Sequence, residues 1–233
     1  MEQAGIALIA GLGNPGNQYA ATRHNVGFWL LERLQRTYPI TFATEKKFKA
    51  QTGRFECNGR HVRVIAPDTF MNLSGQSIAI MASFYRIAPS QILVIHDELD
   101  LPPGSARLKI GGGHGGHNGL RDLVSKLGAS DFLRMRIGIG HPGVNQDVSG
   151  YVLNKPPSSE QTLIEDAIDK AIGVLPDVVC GNYQKAMNQL HSEAEKDNAG
   201  KDKIGKDKIG TDKIKKAKIE KDKLDEGNNI ELF

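Results

Sequence analysis

The sequence predicts an α/β protein, a single-domain three-layer sandwich in which helices flank a twisted, mixed β-sheet. Short apolar runs that are typical of buried strands alternate along the chain with helical patterns, and this order is typical of sheets whose strands are connected by helices. A chain of 233 residues with 39% hydrophobic and 24% charged residues can also bury one sizeable core.

Four strands are predicted from apolar or alternating residues, over 6–10, 62–65, 92–95 and 134–139. The runs 6–10 and 92–95 are continuously apolar, as expected of strands that are covered on both faces. Residues 48–54 and 55–65 are candidates for the two strands of a hairpin. In open α/β sheets the loops at the carboxyl ends of the strands usually form the site, so the loops after these strands are its expected place.

Four helices are predicted between and after the strands, over about 23–36, 74–86, 118–127 and 159–174. Thr22 precedes the first helix, Pro89 follows the second, and Gly128 ends the third. Ser158, Ser159 and Glu160 form a capping pattern at the start of the fourth. Strands and helices therefore alternate along the chain.

A low-complexity segment follows residue 194. Within it, an Ile or Leu recurs every five residues among KDKIG-like repeats, and this period spirals around a helix instead of forming one apolar stripe. Of the 30 basic and 27 acidic residues of the chain, 11 and 9 lie in 196–233, which leaves 19 and 18 elsewhere. We predict one folded domain over 1–194 and a disordered or transiently helical tail over 195–233, and net charge alone indicates no nucleic-acid partner.

The cysteines and the amino terminus bear on the compartment. Cys57 and Cys180 have no neighbouring Cys or His that would complete a disulfide framework or a metal site. Glu2 lies where a signal peptide carries positive charge, and no run of 18 apolar residues occurs. We therefore expect a cytoplasmic protein without a membrane partner.

A glycine-rich turn, Gly11–Gly16, follows the first predicted strand and matches the G-x-G-x-x-G pattern of dinucleotide sites. Pro15 and the delayed start of the next helix near Thr22 argue against that interpretation, because a pyrophosphate is bound by a helix that begins directly after the glycines. The alternatives are a tight turn that needs glycine for positive φ and a turn that presents the Asn14 amide beside the strand end.

One histidine and a group of carboxylates are candidates for acid–base chemistry. His24 lies at the start of the first predicted helix, and Asp97 lies in the segment His96–Asp100, directly after a buried strand. A carboxylate that accepts the ring N–H of a histidine orients it as a general base. The competing interpretations are a structural or exposed histidine and carboxylates that are solvated or cap a helix.

No amino-acid nucleophile accompanies this pair, because Gly-x-Ser-x-Gly is absent and neither cysteine lies in a catalytic motif. Water is then the expected nucleophile, and donors to the developing oxyanion are required. Asn14, Asn72 and Asn118 each follow or open a regular element and are candidate amide donors. The alternative for each of them is an Asx-turn.

Six glycines in nine residues make up the segment 111–119, and this composition favours a backbone that covers or closely approaches a ligand. His114 and His117 lie in it without the further ligands of a metal site, so no metal is predicted. Basic residues outnumber acidic ones around this segment, and they are Arg107, Lys109, Arg121, Lys126, Arg134 and Arg136. They form either a phosphate-binding rim or solvated surface charge.

Taken together, six ordered motifs resemble the bacterial-type peptidyl-tRNA hydrolases over about residues 5–192. The motifs are Gly-Leu-Gly-Asn-Pro-Gly, Thr-Arg-His-Asn-Val-Gly, Phe-Met-Asn-Leu-Ser-Gly, His-Asp-Glu-Leu-Asp-Leu-Pro-Pro-Gly, Gly-Gly-Gly-His-Gly-Gly-His-Asn-Gly and Arg-Ile-Gly-Ile-Gly-His-Pro. Any one of them is weak, whereas all six in this order are specific.

The resemblance implies a monomeric α/β enzyme that needs no cofactor and hydrolyses the ester between a peptide and the 3′-terminal ribose of tRNA. It implies His24 as catalytic base and Asp97 as the residue that orients it. The other implied site residues are Asn14, Asn72 and Asn118 as amides that hold the peptide and position water or the oxyanion, Tyr19, Met71 and His117 as the lining of the cleft, and Asn25, Lys109 and Arg136 as contacts to the tRNA acceptor end.

Two other functions compete with this one. A non-catalytic RNA-binding module on the same fold is disfavoured, because His24, Asp97 and the three asparagines occur together. A nucleotide-dependent oxidoreductase rests on the glycine-rich turn alone. The chain departs from the family pattern after about Ala194, and we predict that the added tail is a solvated extension because its charges nearly balance.

Overall fold

One mixed β-sheet of seven strands forms the centre of the computed structural model, which describes residues 5–190. The strands are β1 (Leu8–Gly11), β2 (Ala43–Glu45), β3 (Ala50–Cys57), β4 (Arg60–Pro67), β5 (Ile92–Glu98), β6 (Ala106–Ile110) and β7 (Leu133–Gly138). Their order across the sheet is β2-β3-β4-β1-β5-β7-β6. The central strands β4, β1, β5 and β7 are parallel, and the pairs at the two edges are antiparallel, which confirms the predicted mixed sheet.

Helices cover both faces of this sheet. They are α1 (Val26–Thr37), α2 (Ser74–Tyr85), α3 (Asn118–Leu127), α4 (Val148–Val152), α5 (Ser158–Gly173) and α6 (Leu175–Val179), and a last helix occupies 183–190. Successive side chains of β5 point to opposite faces: Leu93 and Ile95 pack into the core beneath α1 and α5, and Ile92 and Val94 pack into the core beneath α2 and α3. The continuous apolar run of β5 is therefore buried on both sides.

The four predicted strands and the four predicted helices are present. The structure differs from the prediction in the turn of the hairpin and in several additional elements. The hairpin turns at Asn58-Gly59, so 55–57 belongs to its first strand and not to its second as predicted. Both turn residues have positive φ, 50° and 74°, which is the geometry that an Asn-Gly pair favours between antiparallel strands. The short edge strands β2 and β6, the short helices α4 and α6 and the helix over 183–190 were not predicted.

The amino terminus of α5 differs from the predicted capping pattern. Pro157 occupies the cap position, and no side chain caps the helix there. Glu160 instead accepts a hydrogen bond at 2.8 Å from Arg23, whose guanidinium is almost fully buried. The same guanidinium lies 4.0 Å from the Tyr151 ring centroid. Glu160 thus helps hold the segment that precedes α1 against the helix α5.

The remaining sequence-based predictions concern the tail, membrane segments and the cysteines. The predicted tail over 195–233 lies outside the described residues. Among 5–190, no helix is long and apolar enough to cross a membrane. Cys57 is buried, Cys180 is half-buried, and both are free thiols.

Candidate active site

A cleft with a volume of about 680 Å³ lies at the carboxyl ends of β1 and β5, where the parallel strands were expected to place the site. Ten of the eleven predicted site residues line it: Asn14, Tyr19, His24, Met71, Asn72, Asp97, Lys109, His117, Asn118 and Arg136. The fold therefore brings together residues from almost the entire first 136 positions of the chain. Asn25 is the predicted residue that does not line the cleft.

His24 and Asp97 form the central pair of the cleft. His24 lies in a 3₁₀ turn, Arg23–Asn25, that leads into α1, and Asp97 is near the end of β5. The His24 Nδ1 atom lies 2.9 Å and 3.0 Å from the two carboxylate oxygens of Asp97. Burial acts to lower the pKa of His24, but the charge of Asp97 and its hydrogen bond outweigh burial and raise that pKa above its ordinary value.

A second histidine, His117, also contacts Asp97. Its Nε2 atom lies 2.9 Å from Asp97 Oδ1, and its Nδ1 atom accepts the backbone N–H groups of Gly119 and Leu120 at 3.1 Å and 3.3 Å. Because Nδ1 accepts, the proton of the neutral ring is on Nε2, and this N–H donates to Asp97. His117 thus caps the amino terminus of α3 with one nitrogen and holds the carboxylate with the other.

Asp97 is consequently held as a carboxylate between two ring N–H donors. It is 4% exposed, and burial alone would raise the pKa of its carboxyl. The charges and hydrogen bonds of His117 and His24 outweigh burial and hold that pKa well below its ordinary value. As an ionised acceptor, Asp97 keeps the His24 proton on Nδ1, and no described residue hydrogen-bonds to the His24 Nε2 atom, which is left with its lone pair.

The same three residues satisfy the distances of a metal site, since their nearest ligand atoms lie within 4.8 Å of one another. Their protonation opposes such a site. A neutral histidine that binds a metal through Nε2 carries its proton on Nδ1, but His117 Nδ1 is an acceptor for two N–H groups of α3. Metal binding at His117 would cost the cap of this helix, so the residues do not fit a metal.

His96, next to Asp97 on the strand, is 2% exposed, and it also borders the cleft, with its ring centroid 5.2 Å from that of His117. Its Nδ1–H donates to the Asp97 carbonyl oxygen at 2.7 Å, and its Nε2 atom has no partner among the described residues. Burial, followed by the charge of His117, lowers the pKa of His96 to about 3. This lowered pKa favours the neutral ring, a difference from His24 that the sequence alone did not show.

Asn14, which lines the cleft, and Asn25, which lies behind it, have different environments. Asn14 is 7% exposed, and its Oδ1 accepts the Met71 backbone N–H at 2.8 Å, which leaves its amide N–H groups as the donors. Asn25 is 2% exposed, and its side chain exchanges two hydrogen bonds of 2.9 Å with the backbone of Asn14. The structure therefore places Asn25 behind Asn14 as a brace, and not at the surface where tRNA was predicted to contact it.

Two further amides lie at the rim, next to helix starts. Asn72 is exposed in the 3₁₀ turn Met71–Leu73 that leads into α2. Asn118 is the exposed first residue of α3, and its Oδ1 accepts a hydrogen bond from Arg121 at 2.9 Å. Both side chains reach the cleft from helices that pack against each other, so their spacing depends on the contact between α2 and α3.

Three of the six basic residues that were predicted as a phosphate-binding rim border the cleft, and their environments differ. Lys109 is exposed, and Arg136 is half-buried with its Nε 2.8 Å from a carboxylate oxygen of Glu98. Arg134 is 2% exposed and donates to the carbonyl oxygens of Gly112 and Gly113. Arg134 borders the cleft, but its guanidinium is bonded to the glycine-rich segment and is not an exposed phosphate-binding group.

Several residues of the cleft were not predicted from the sequence. Phe70 is 54% exposed and packs edge-on against the Tyr19 ring, with 6.2 Å between their centroids. One wall is formed by Val148, Ser149, Val152 and Leu153 of and next to α4. Phe70 could have been predicted from its place beside Met71 in the Phe-Met-Asn motif. Nothing in the sequence indicated that α4 would form a wall of the cleft.

The glycine-rich turn after β1 serves packing. A Cβ atom on Gly11 would lie 2.6 Å from the Gly27 carbonyl oxygen, and one on Gly13 would lie 2.6 Å from the Phe28 ring. The helix α1 begins at Val26, ten residues after Gly16. These glycines allow α1 to approach the loop closely, and the turn lacks the adjoining helix of a dinucleotide site.

Comparison with known proteins agrees with the motifs. The profile of the family described as peptidyl-tRNA hydrolase matches residues 8–199. The chain is 57% identical over 188 residues to the peptidyl-tRNA hydrolase of Pectobacterium carotovorum subsp. carotovorum (strain PC1), and the match covers 80% of this chain and 96% of that protein. It is 52% identical over 189 residues to the peptidyl-tRNA hydrolase of Pseudomonas aeruginosa (strain UCBPP-PA14), covering 81% and 97%.

Solved structures show the same likeness. The crystal structure of peptidyl-tRNA hydrolase from Acinetobacter baumannii at 1.00 Å resolution has a TM-score of 0.78 and 52% identity, and the match covers 82% of this chain and 96% of that chain. A complex of peptidyl-tRNA hydrolase with n-propanol gives a TM-score of 0.77 and 54% identity over 79% of this chain and 94% of that chain. By profile, sequence identity and fold, the chain belongs to the peptidyl-tRNA hydrolase family and hydrolyses peptidyl-tRNA.

Proposed function

We propose that His24 is the general base of this hydrolysis, that Asp97 orients it, and that no metal or other cofactor takes part. The hydrogen bonds of 2.9 Å and 3.0 Å between His24 Nδ1 and the Asp97 carboxylate carry this proposal. They hold the ring proton on Nδ1 and leave the lone pair of Nε2 for a water molecule. His117 has both of its ring nitrogens engaged and is therefore unsuited to be the base.

The reaction proceeds by attack of water on the ester carbonyl carbon. The water oxygen forms the new bond, and His24 Nε2 takes one water proton and becomes an imidazolium that Asp97 stabilises. The tetrahedral intermediate then expels the ribose oxygen, which takes the proton from the imidazolium. The products are a tRNA with a free terminal ribose hydroxyl and a peptide with a free carboxylic acid, which then releases the second water proton to solvent and becomes a carboxylate.

Amide side chains hold the peptide part and the developing oxyanion. Asn14, Asn72 and Asn118 reach the cleft from three separate loops and offer N–H donors to carbonyl oxygens. Tyr19 and Met71 form the apolar lining. Since every peptide has the same backbone, binding through amides makes the enzyme tolerant of the peptide's side chains, and strong discrimination among peptide sequences in the hydrolysis assay would contradict this.

Lys109 and Arg136 contact the phosphates of the tRNA acceptor end, because they are the basic side chains that line the cleft beside Arg134, which is buried. Asn25 and His117 act by positioning: Asn25 braces Asn14, and His117 holds Asp97. The proposed working unit is a monomer without an obligate protein partner, since one chain supplies every residue of the proposed site. Its proposed compartment is the cytoplasm.

The test is release of tRNA from an N-acylated aminoacyl-tRNA in EDTA by the parent, His24→Ala and His117→Ala proteins. We expect the parent to remain active in EDTA and His24→Ala to lose about 10²–10⁴-fold in kcat, the usual contribution of a general base. His117→Ala should lose less. Full activity of His24→Ala, or a larger loss in His117→Ala, would assign the base elsewhere, and dependence of the parent on a metal would contradict the mechanism.

A further inference from the structure

The glycine-rich segment 111–117 is held by one buried arginine. Arg134, on β7, donates through Nη1 to the Gly113 carbonyl oxygen and through Nη2 to that of Gly112, both at 2.5 Å. Its guanidinium carbon lies 4.8 Å from the centroid of the Phe132 ring. Because the guanidinium is a rigid planar fork, two bonds to successive carbonyls define both the position and the orientation of this backbone.

The segment has few other restraints among the described residues: the Gly111 N–H donates to the Phe132 carbonyl oxygen at 3.1 Å, and the Gly116 and His117 N–H groups donate to His114 within the segment. Gly111, Gly112, Gly115 and Gly116 have φ values of 64°, 107°, 54° and 84°, in the region that glycine enters without a steric cost. A Cβ atom on Gly113, Gly115 or Gly116 would meet no atom within 4 Å, so these glycines do not pack closely against the rest of the described chain. The conformation of the segment therefore depends on its hydrogen bonds.

The end of this segment is His117, which joins the segment to the catalytic pair. His117 holds Asp97 Oδ1 at 2.9 Å, and Asp97 in turn holds His24. His117 is also bonded to the start of α3, so a displacement of the segment would pull His117 against those bonds and weaken its hydrogen bond to Asp97. Gly113, whose carbonyl oxygen Arg134 holds, precedes His117 by four residues along the backbone, and the hydrogen bonds from His117 to Asp97 and from His24 to Asp97 complete the path to the base.

We propose that Arg134 is a positioning residue for hydrolysis: it fixes the glycine-rich segment so that His117 orients Asp97 and, through Asp97, the base. This inference rests on the proposed roles of His24 and Asp97. It replaces the interpretation of Arg134 as a phosphate contact, which its exposure of 2% does not permit.

Three variants separate positioning from charge. Arg134→Met removes the fork but keeps an unbranched side chain, and Arg134→Lys keeps the charge but cannot hold two carbonyls in one plane. Arg107→Met is the matched control, because Arg107 lies on the same face of the sheet, two residues away in register, and has no described bond to the segment. Thermal unfolding of each variant shows whether it is folded.

We expect both Arg134 variants to lose about 10- to 100-fold in kcat with little change in KM, since small displacements of catalytic groups have effects of this size. The pH at which kcat rises should also shift, because His117 no longer orients the carboxylate that raises the pKa of His24. Nitrogen-15 spectra of the imidazoles should show that His117 loses its Nε2–H form. Arg107→Met should leave kcat, its pH dependence and the His117 spectrum at the parental values, because Arg107 does not line the cleft.

Parental kcat in Arg134→Lys would overturn the inference, as would an Arg134→Met protein that raises KM and weakens the salt dependence, which is the signature of a lost phosphate contact. If Arg134→Met does not fold, Arg134→Lys and the His117 spectrum decide. His24→Ala, measured in the same assay, separates the two proposals: if it remains active, the assigned base is wrong whatever Arg134 does, and the His117 spectrum still reports on the positioning role.

Discussion

Asp97 is the residue on which the site depends, because a carboxylate can accept from two donors at once. His24 Nδ1 and His117 Nε2 both approach it at 2.9 Å. The two histidines nevertheless differ, since the second nitrogen of His117 is used by the start of α3, whereas the second nitrogen of His24 has no partner among the described residues. The environment, and not the residue type, makes one of them a candidate base.

Asp97→Asn should lower kcat by about 10³–10⁴-fold, the size of effect seen when a histidine loses the carboxylate that sets its tautomer. An amide offers one acceptor and one NH₂ donor where the site presents two N–H donors, so one histidine must change its tautomer. The pKa of His24 should fall, because Asp97 is what raises it against burial. The pH dependence of kcat measures both effects.

The base works in its neutral form, so parental activity should rise with pH through a pKa above 6.5, and the rise in Asp97→Asn should lie at lower pH. Asp131→Asn, the same change at an exposed position before β7, is the control. An unshifted pH profile in Asp97→Asn would show that this carboxylate does not interact with the base.

At the scale of elements, the close packing of α2 against α3 positions the amide groups at the rim. A Cβ atom on Gly75 would lie 2.4 Å from the Leu123 backbone nitrogen and 2.5 Å from the Asp122 carbonyl carbon. The turn before α2 carries Asn72, and α3 begins at Asn118, so this contact determines how far apart the two amides lie.

Gly75→Ala should lower the free energy of unfolding by about 1–3 kcal/mol, because the added methyl group must displace backbone atoms of α3. It should also reduce kcat/KM by separating Asn72 from Asn118. Gly173→Ala is the matched control, since its Cβ would meet no atom within 4 Å and its φ is not positive. Urea unfolding of both variants measures the difference, and equal stabilities would show that α2 and α3 are not in close contact.

At the scale of the whole molecule, basic and acidic residues nearly balance, so a positive surface can arise only where basic residues cluster. Residues 1–195 contain 19 basic and 18 acidic residues, and the tail from 196 contains 11 and 9. We therefore expect attraction of tRNA phosphates to depend on Lys109 and Arg136 at the cleft and not on the net charge of the chain. The tail is predicted to contribute little, because its own charges nearly cancel.

A chain that ends at residue 194 should therefore keep its KM for N-acylated aminoacyl-tRNA within about twofold, with the same salt dependence, because salt dependence counts the phosphates that basic side chains neutralise. Steady-state kinetics at several salt concentrations check this against the full chain. A large rise in KM on truncation would show that the Lys-rich repeats bind RNA.

The sequence by itself determined the alternation of strands and helices, the position of Asp97 after a buried strand and the family, because local periodicity and ordered motifs are written along the chain. Only the tertiary structure decided which polar residues are buried and what they contact. His24 and Asp97 are 73 residues apart, and Arg134 is more than 20 residues from the glycine carbonyls that it holds. Arg134, Asn25 and His96 resemble exposed or catalytic residues in the sequence, but tertiary packing buries their side chains and directs them to partners that are not visible in the sequence.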